Sequence, residues 1–173
     1  MTKDQLVARI RELAVLHGDF TLRSGRKSKY YVDKYRFETQ PDALAALGAA
    51  IAAHAGDADR IAGPELGAVA LAASASMASG KPCVFIRNSK KDYGTAKQIE
   101  GVLEAGEKVL LVEDVLTTGG QAIEAIEMLR DMGCEVTKLV AVIDRQEGAR
   151  KNVEQLGVEM VGLVTKADLG IDE

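Results

Sequence analysis

Aromatic residues are scarce in this sequence: Phe, Trp and Tyr make up 4% of it, and there is no Trp. A core without them has to be built mostly from Ala, Val, Leu and Ile. There are two cysteines, Cys83 and Cys134, far apart and outside any Cys-x-x-Cys pair. That spacing argues against a disulfide framework or a thiolate metal site, and the expectation is two reduced, partly buried thiols in a cytoplasmic protein. The two histidines, His17 and His54, fall near expected helix ends and read as structural. No apolar run reaches the ~20 residues of a membrane-crossing helix. The polar start, Met1-Thr2-Lys3-Asp4-Gln5, has no apolar signal region. Basic charge is also lacking, with 22 Lys and Arg against 26 Asp and Glu. An acidic balance of this kind suits neither nucleic acid nor a membrane surface as partner. Finally, there is no G-x-x-x-x-G-K-[ST], which excludes a P-loop nucleotide hydrolase, and no strand-linked G-x-G-x-x-G.

What is present suits a globular chain of one domain, 47% hydrophobic and 28% charged, spanning residues 1–173. Leu6, Val7, Ile10, Leu13, Ala14 and Leu16 recur at helical spacing and predict a helix over residues 3–16, stopped by Gly18. Residues 21–29 are polar and basic and read as a loop, followed by a short strand at 30–33. An Ala-rich helix is predicted from Pro41 to about His54, ended by Gly56 and Asp57. Strands then alternate with helices: strands at 60–63, 82–86, 108–113, 135–143 and 158–164, helices at 67–79, 118–132 and 148–156. Residues 88–101 are polar and without pattern. A continuously apolar strand such as Val109-Leu110-Leu111-Val112 suits a parallel sheet covered on both faces. The alternation predicts an α/β fold, a doubly wound and mainly parallel sheet flanked by helices. No repeat, low-complexity tract or linker divides the chain.

The most informative segment joins that apolar strand to the next helix: Glu113-Asp114-Val115-Leu116-Thr117-Thr118-Gly119-Gly120-Gln121. Backbone N–H groups and two hydroxyls at a helix N-terminus suit a phosphate, which the helix dipole also favours. Glycines let the backbone come close to it. Two acids at a strand's C-terminal end lie where open α/β sheets bind ligands, and they accept hydrogen bonds from sugar hydroxyls or hold a metal ion. The plain alternative is an ordinary strand-to-helix turn with a Thr cap.

This segment resembles the phosphoribosyl pyrophosphate (PRPP) motif of the type I phosphoribosyltransferase family. The resemblance implies that Glu113 and Asp114 hold the ribose, and that Val115, Leu116, Thr117, Thr118, Gly119, Gly120 and Gln121 form the loop around the 5-phosphate. Three more segments resemble the orotate phosphoribosyltransferases within that family. Residues 20–33, with Phe20, Arg23, Ser24, Gly25, Ser28, Tyr30 and Tyr31, match the pattern F-x-L-[KR]-S-G-x-x-S-x-x-Y. The resemblance implies a small N-terminal hood, about residues 1–37, in which Arg23, Tyr30 and Tyr31 lie close to the base. Residues 87–97 resemble the family's catalytic loop, commonly R-K-x-x-K-[DE]-[HY]-G. Arg87, Lys91 and Tyr93 match it as PRPP ligands, and Asn88 replaces the usual second cation, with Lys90 beside it. Asp144-Arg145-Gln146-Glu147-Gly148 resembles D-R-x-[EQ]-G. It implies that Arg145 grips orotate, with Thr117 as a further contact; read by itself, Arg145 is a surface ion pair with Asp144 or Glu147. A fourth segment, Gly63, Pro64, Glu65 and Gly67, stands where the family binds pyrophosphate, with Glu65-Leu66 in place of a frequent Tyr-Lys pair.

The resemblance covers nearly the whole chain. It implies transfer of ribose 5-phosphate from PRPP to orotate, giving orotidine 5'-monophosphate in pyrimidine biosynthesis. Lys91 is the leading catalytic candidate and Asp114 the second. Magnesium is implied as the cofactor, carried mainly by PRPP, with Asp114 the one candidate protein ligand. The implied assembly is a homodimer in which residues 87–101 act on the neighbouring subunit. Two alternatives stand beside this reading: a transferase for another base, such as a purine, and a non-catalytic PRPP-sensing regulator.

Overall fold

The computed structural model describes residues 1–21, 25, 27–89 and 98–171. The chain begins with α1 (Lys3–Ala14) and an antiparallel hairpin of β1 (Val15–Thr21) and β2 (Lys27–Val32). A short α2 (Tyr35–Glu38) and α3 (Pro41–Ala52) lead to the alternating part of the chain. That part comprises β3 (Arg60–Pro64), α4 (Gly67–Ser79), β4 (Cys83–Ile86), β5 (Ile99–Glu100), β6 (Lys108–Leu116), α5 (Gly120–Asp131), β7 (Glu135–Asp144), α6 (Ala149–Glu154) and β8 (Glu159–Thr165).

The local signals are physical. Thr2 caps α1 with a capping box: its hydroxyl accepts from the Gln5 N–H, and its own N–H donates to the Gln5 side chain. Pro41 starts α3, where its missing N–H costs nothing. Gly80 closes α4 in the left-handed region, at φ 72°.

Six strands form one sheet in the order β5-β4-β3-β6-β7-β8. All neighbours are parallel except β5, which runs antiparallel to β4. The apolar strands feed both faces. Leu110 and Val112 of β6 join one core cluster with α1, α3 and α4, while Val109 and Leu111 join a second cluster with α5 and α6. This is the doubly wound arrangement that the alternation predicts. Both clusters are almost wholly aliphatic; Phe37 is the one aromatic among the largest fully buried side chains.

Several boundaries differ from expectation. The first helix stops at Ala14, not at 16, and Val15 and Leu16 enter a strand opposite Val32 and Tyr31. Cross-strand pairing overrides helical spacing at these two residues. His17 and Gly18 therefore lie in a strand, and a bulge falls between His17 and Phe20. The expected loop at 21–29 is in its last part β2, which starts at Lys27. Ile99 and Glu100, expected in a patternless stretch, form β5 on the sheet edge. Strand β6 runs three residues past Glu113, so the two acids lie within the strand and not after it. The helix after the glycines starts at Gly120 and is capped by Gly119, at φ 84°; no Thr side chain caps it.

Candidate functional site

The C-terminal ends of β3, β4 and β6 surround a cavity of about 170 Å³. Glu113 and Asp114 line it from β6, Pro64 to Gly67 from the turn after β3, Arg87 and Asn88 from the end of β4, and Gln121 from the first turn of α5. Lys34 closes it from the N-terminal side. The topology explains the convergence: in a parallel sheet the strand-to-helix turns all open at the same edge.

Both acids are nearly out of solvent, Glu113 at 8% and Asp114 at 5% exposure. Asp114 is fully engaged. One carboxylate oxygen accepts from the Val115 N–H, and the other is bonded to the Lys34 ammonium. Among the described residues no donor reaches Glu113 Oε1. Burial, and then the charge of Asp114, push the Glu113 carboxyl up to about 8, against the opposing pull of Lys34. Glu38 behaves alike: it is buried in α2, its Oε1 has no donor among the described residues, and its carboxyl is pushed up to about 8 by burial and by Asp114. For Lys34, burial works against the charged form, but the hydrogen bond and charge of Asp114 outweigh it and hold the ammonium above its ordinary range.

Gly67 is required by this packing. A Cβ built on it would lie 1.6 Å from Asp114 Oδ2 and 3.1 Å from Lys34 Nζ. The neighbouring turn is tied to the next strand: the Asn88 N–H donates to Glu65 Oε1 at 2.7 Å. Arg87 lies 3.7 Å from Glu100 through one guanidinium nitrogen, while its buried Nε has no acceptor among the described residues.

The phosphate-type loop follows directly. Leu116 and Val115 pack into the core, Leu116 almost fully, so these two offer only backbone outward. Thr117 and Thr118 are exposed, and their carbonyls are held by the Ala149 N–H at 3.1 Å and by Asn152 at 2.9 Å. Gly119 packs against Ala149 and Val153, and the space beside Gly120 is open. With no side-chain cap on α5, its first-turn N–H groups remain for an anion.

Arg145 emerges beside this loop because Leu116 and Asp144 are register partners and the Arg145 N–H donates to the Leu116 carbonyl at 2.9 Å. Asp144 turns the chain by accepting the Gln146 N–H at 2.8 Å, with Gln146 at a positive φ of 57°. The Arg145 guanidinium bonds the Tyr30 hydroxyl at 3.3 Å and pairs with Glu147 at 3.0 Å. The structure thus brings Tyr30, Arg145 and Thr117 to one side of the sheet edge. Tyr31, the next residue on β2, is on the opposite face, half exposed, with its ring 5.7 Å from that of Phe20. Arg23, Lys90, Lys91 and Tyr93 lie outside the described residues. Among the described residues no group of three His, Cys, Asp or Glu converges to hold a metal. Asp114 remains the candidate ligand, through a carboxylate already shared with Lys34.

Sequence reasoning missed Lys34 and Glu38. Lys34 follows the hood's Tyr30-Tyr31-Val32-Asp33 strand, and nothing in its spacing separates it from an ordinary surface lysine. Only the fold brings it 80 residues along the chain to Asp114.

The family model for the phosphoribosyl transferase domain matches residues 36–160. The orotate phosphoribosyltransferase of Methanocella arvoryzae is 52% identical over 158 residues, covering 90% of each chain. That of Natronomonas pharaonis is 45% identical over 173 residues, covering 99% of each. Among solved structures, the Mycobacterium tuberculosis orotate phosphoribosyltransferase in complex with Fe(III) dicitrate superposes with a TM-score of 0.89 at 35% identity, covering 97% of this chain and 98% of that one. The complex of that enzyme with PRPP gives a TM-score of 0.83 at 33% identity, with the same coverage. On both sequence and fold, this chain belongs to the orotate phosphoribosyltransferases of the phosphoribosyltransferase family.

Proposed function

We propose that the protein transfers ribose 5-phosphate from PRPP to orotate, releasing pyrophosphate and giving orotidine 5'-monophosphate in pyrimidine biosynthesis. The observation that carries this reading is the adjacency of three things at one sheet edge: the Glu113–Asp114 pair, the uncapped N-terminus of α5, and an arginine braced by a tyrosine hydroxyl. A sugar, a phosphate and a flat anionic base need those three surfaces in that order.

In this mechanism Glu113 and Asp114 accept hydrogen bonds from the ribose hydroxyls. The N–H groups and hydroxyls of Thr117 to Gln121 hold the 5-phosphate. Arg23, Arg145, Thr117 and the hood tyrosine Tyr30 receive orotate, whose carboxylate suits the arginine fork; Tyr31, on the other face of β2, packs on Phe20 instead. The C1–O bond to pyrophosphate breaks with its electron pair leaving on oxygen, and the sugar gains oxocarbenium character. The orotate ring nitrogen, already anionic, supplies the pair that forms the new C1–N bond. No covalent enzyme intermediate is required; positioning and charge stabilisation do the work. Pyrophosphate departs across Gly63, Pro64, Glu65 and Gly67, toward Arg87, Lys91 and Tyr93. Lys91 stabilises its charge or hands it a proton, so Lys91→Ala lowers kcat far more than it weakens orotate binding.

Magnesium fits this donor set as a companion of PRPP, because a buried carboxylate oxygen of Glu113 has no donor among the described residues and Asp114 lies beside it. When bound it neutralises part of the pyrophosphate charge. The reading includes a homodimer in which the 87–101 loop acts on the neighbouring subunit, while Arg87, Asn88 and Gln98 line the cavity of their own chain. Co-expressed Lys91→Ala and Asp114→Asn subunits would then regain activity that neither has alone. It also includes a cytoplasmic setting; among the described residues no helix is long and apolar enough to cross a membrane.

The deciding experiment mixes purified protein with PRPP, magnesium and orotate and follows orotate absorbance, with adenine, hypoxanthine and uracil as parallel acceptors. Loss of the orotate signal with pyrophosphate release supports the reading. Turnover with another base alone, or saturable PRPP binding without turnover, overturns it.

A further inference from the structure

The turn that follows β3 has no cation of its own: Pro64, Glu65 and Leu66 stand between Gly63 and Gly67. The cavity above it is acidic, with Glu65, Glu113, Asp114 and Glu124 among its lining residues. A leaving group carrying several negative charges needs a positive partner there. Of the described cations that line the cavity, Arg87 is drawn toward Glu100 on the sheet edge. Lys34 is not. It enters from the N-terminal segment, its side chain is about one-third exposed, and its ammonium hangs over the first residue of α4, where a methyl on Gly67 would lie 3.1 Å from it.

We infer that Lys34 is the cation of the pyrophosphate subsite, supplied by the N-terminal segment in place of a lysine in the turn. The assignment rests on the reading of this cavity as a PRPP site. Without ligand, the ammonium occupies Asp114 Oδ2. Ribose hydroxyls that take that oxygen release the ammonium, and the nearest place for its three donors is the space over Gly67. The Tyr35 ring, 5.3 Å from Nζ, keeps a favourable surface under the charge during the exchange. One residue would thus hold the ribose acid in place in the free enzyme and meet the leaving group in the complex. Leu66, 70% exposed on the same wall, is the position from which the opposite design would work.

The test is calorimetric titration of the wild type, Lys34→Ala, Lys34→Met and Lys34→Ala/Leu66→Lys with magnesium pyrophosphate and, separately, with ribose 5-phosphate. Loss of a charge-assisted contact weakens pyrophosphate about 10- to 100-fold in both single variants. Ribose 5-phosphate binds as in the wild type, or more tightly, because Asp114 no longer has a competing partner. Leu66→Lys restores pyrophosphate binding from the turn itself. Lys34→Met keeps the apolar stem and serves where Lys34→Ala does not fold. Equal weakening of both ligands would mean that Lys34 only holds Asp114, and it overturns the assignment, as does unchanged pyrophosphate binding. A wild type that binds neither ligand overturns the reading of the cavity itself.

Discussion

Replacing Gly67 with alanine separates the site from the fold. The new methyl would lie 1.6 Å from Asp114 Oδ2 and 2.7 Å from its Cγ. Ordinary carbon–oxygen contact needs the carboxylate to retreat by about 2 Å. Asp114 is short, 5% exposed and held from behind by the Val115 N–H, so the retreat breaks its geometry toward the ribose. A misplacement of about 1 Å near reacting atoms costs on the order of 100-fold in rate, or about 2.7 kcal/mol of transition-state stabilisation. The fold should not share that loss. Gly67 opens α4 outside the left-handed region, and alanine in a helix is favoured over glycine by up to about 1 kcal/mol. The expected outcome is a kcat/KM for PRPP lower by about 100-fold, with an unfolding free energy in urea within about 1 kcal/mol of wild type. Steady-state kinetics and urea unfolding on the same preparation decide it. Activity within a few-fold of wild type, or a loss of stability as large as the loss of activity, refutes the argument.

Three further outcomes follow from the same geometry. Glu38 and Glu113 have carboxyls pushed up to about 8 from 4.5, so the folded state holds these protons more tightly than the unfolded chain. Their contribution is fully present below about pH 4.5 and is lost as the pH rises toward 8, at up to about 1.4 kcal/mol per pH unit for each group. Glu38→Gln, which cannot ionise, should gain stability over wild type between pH 5 and pH 8 in urea unfolding; parallel curves would refute it. Arg145→Ala should raise the KM for orotate about 10- to 100-fold with little change for PRPP, and Tyr30→Phe, which loses only the 3.3 Å hydroxyl contact, should raise it a few-fold. Glu65→Ala leaves the Asn88 N–H without its acceptor and should cost about 1 kcal/mol in unfolding, while Glu65→Gln keeps a carbonyl there and should cost less.

Much of this was legible in the chain because it depends on local pattern. The apolar runs at 109–112 and 139–143 are buried on both faces, and period and length alone mark them as central strands. The Glu113-to-Gln121 segment reads as an anion site because glycines, hydroxyls and a helix start sit together in sequence. Boundaries failed where long-range pairing decides. Val15 and Leu16 fit a helix by spacing and a strand by partner, and the partners, Val32 and Tyr31, lie 17 and 15 residues further along the chain. Ile99 is the one branched aliphatic residue in a polar stretch, yet it is 4% exposed because β4 is there to receive it.

The two departures from the family pattern, Glu65-Leu66 and Asn88, read from sequence as two separate losses of positive charge. In the fold they touch. Glu65 turns its carboxylate to the backbone of Asn88 at 2.7 Å, so the acid that replaces a frequent cation partner links the turn after β3 to the segment leaving β4. A tyrosine at 65, as in the frequent Tyr-Lys pair, would not accept that N–H in the same way, and Lys34 already brings a positive charge to the same cavity. The substitutions thus exchange one arrangement of charge for another. Each change is visible one residue at a time, but the exchange depends on contacts 23 and 80 residues apart, which no local pattern carries.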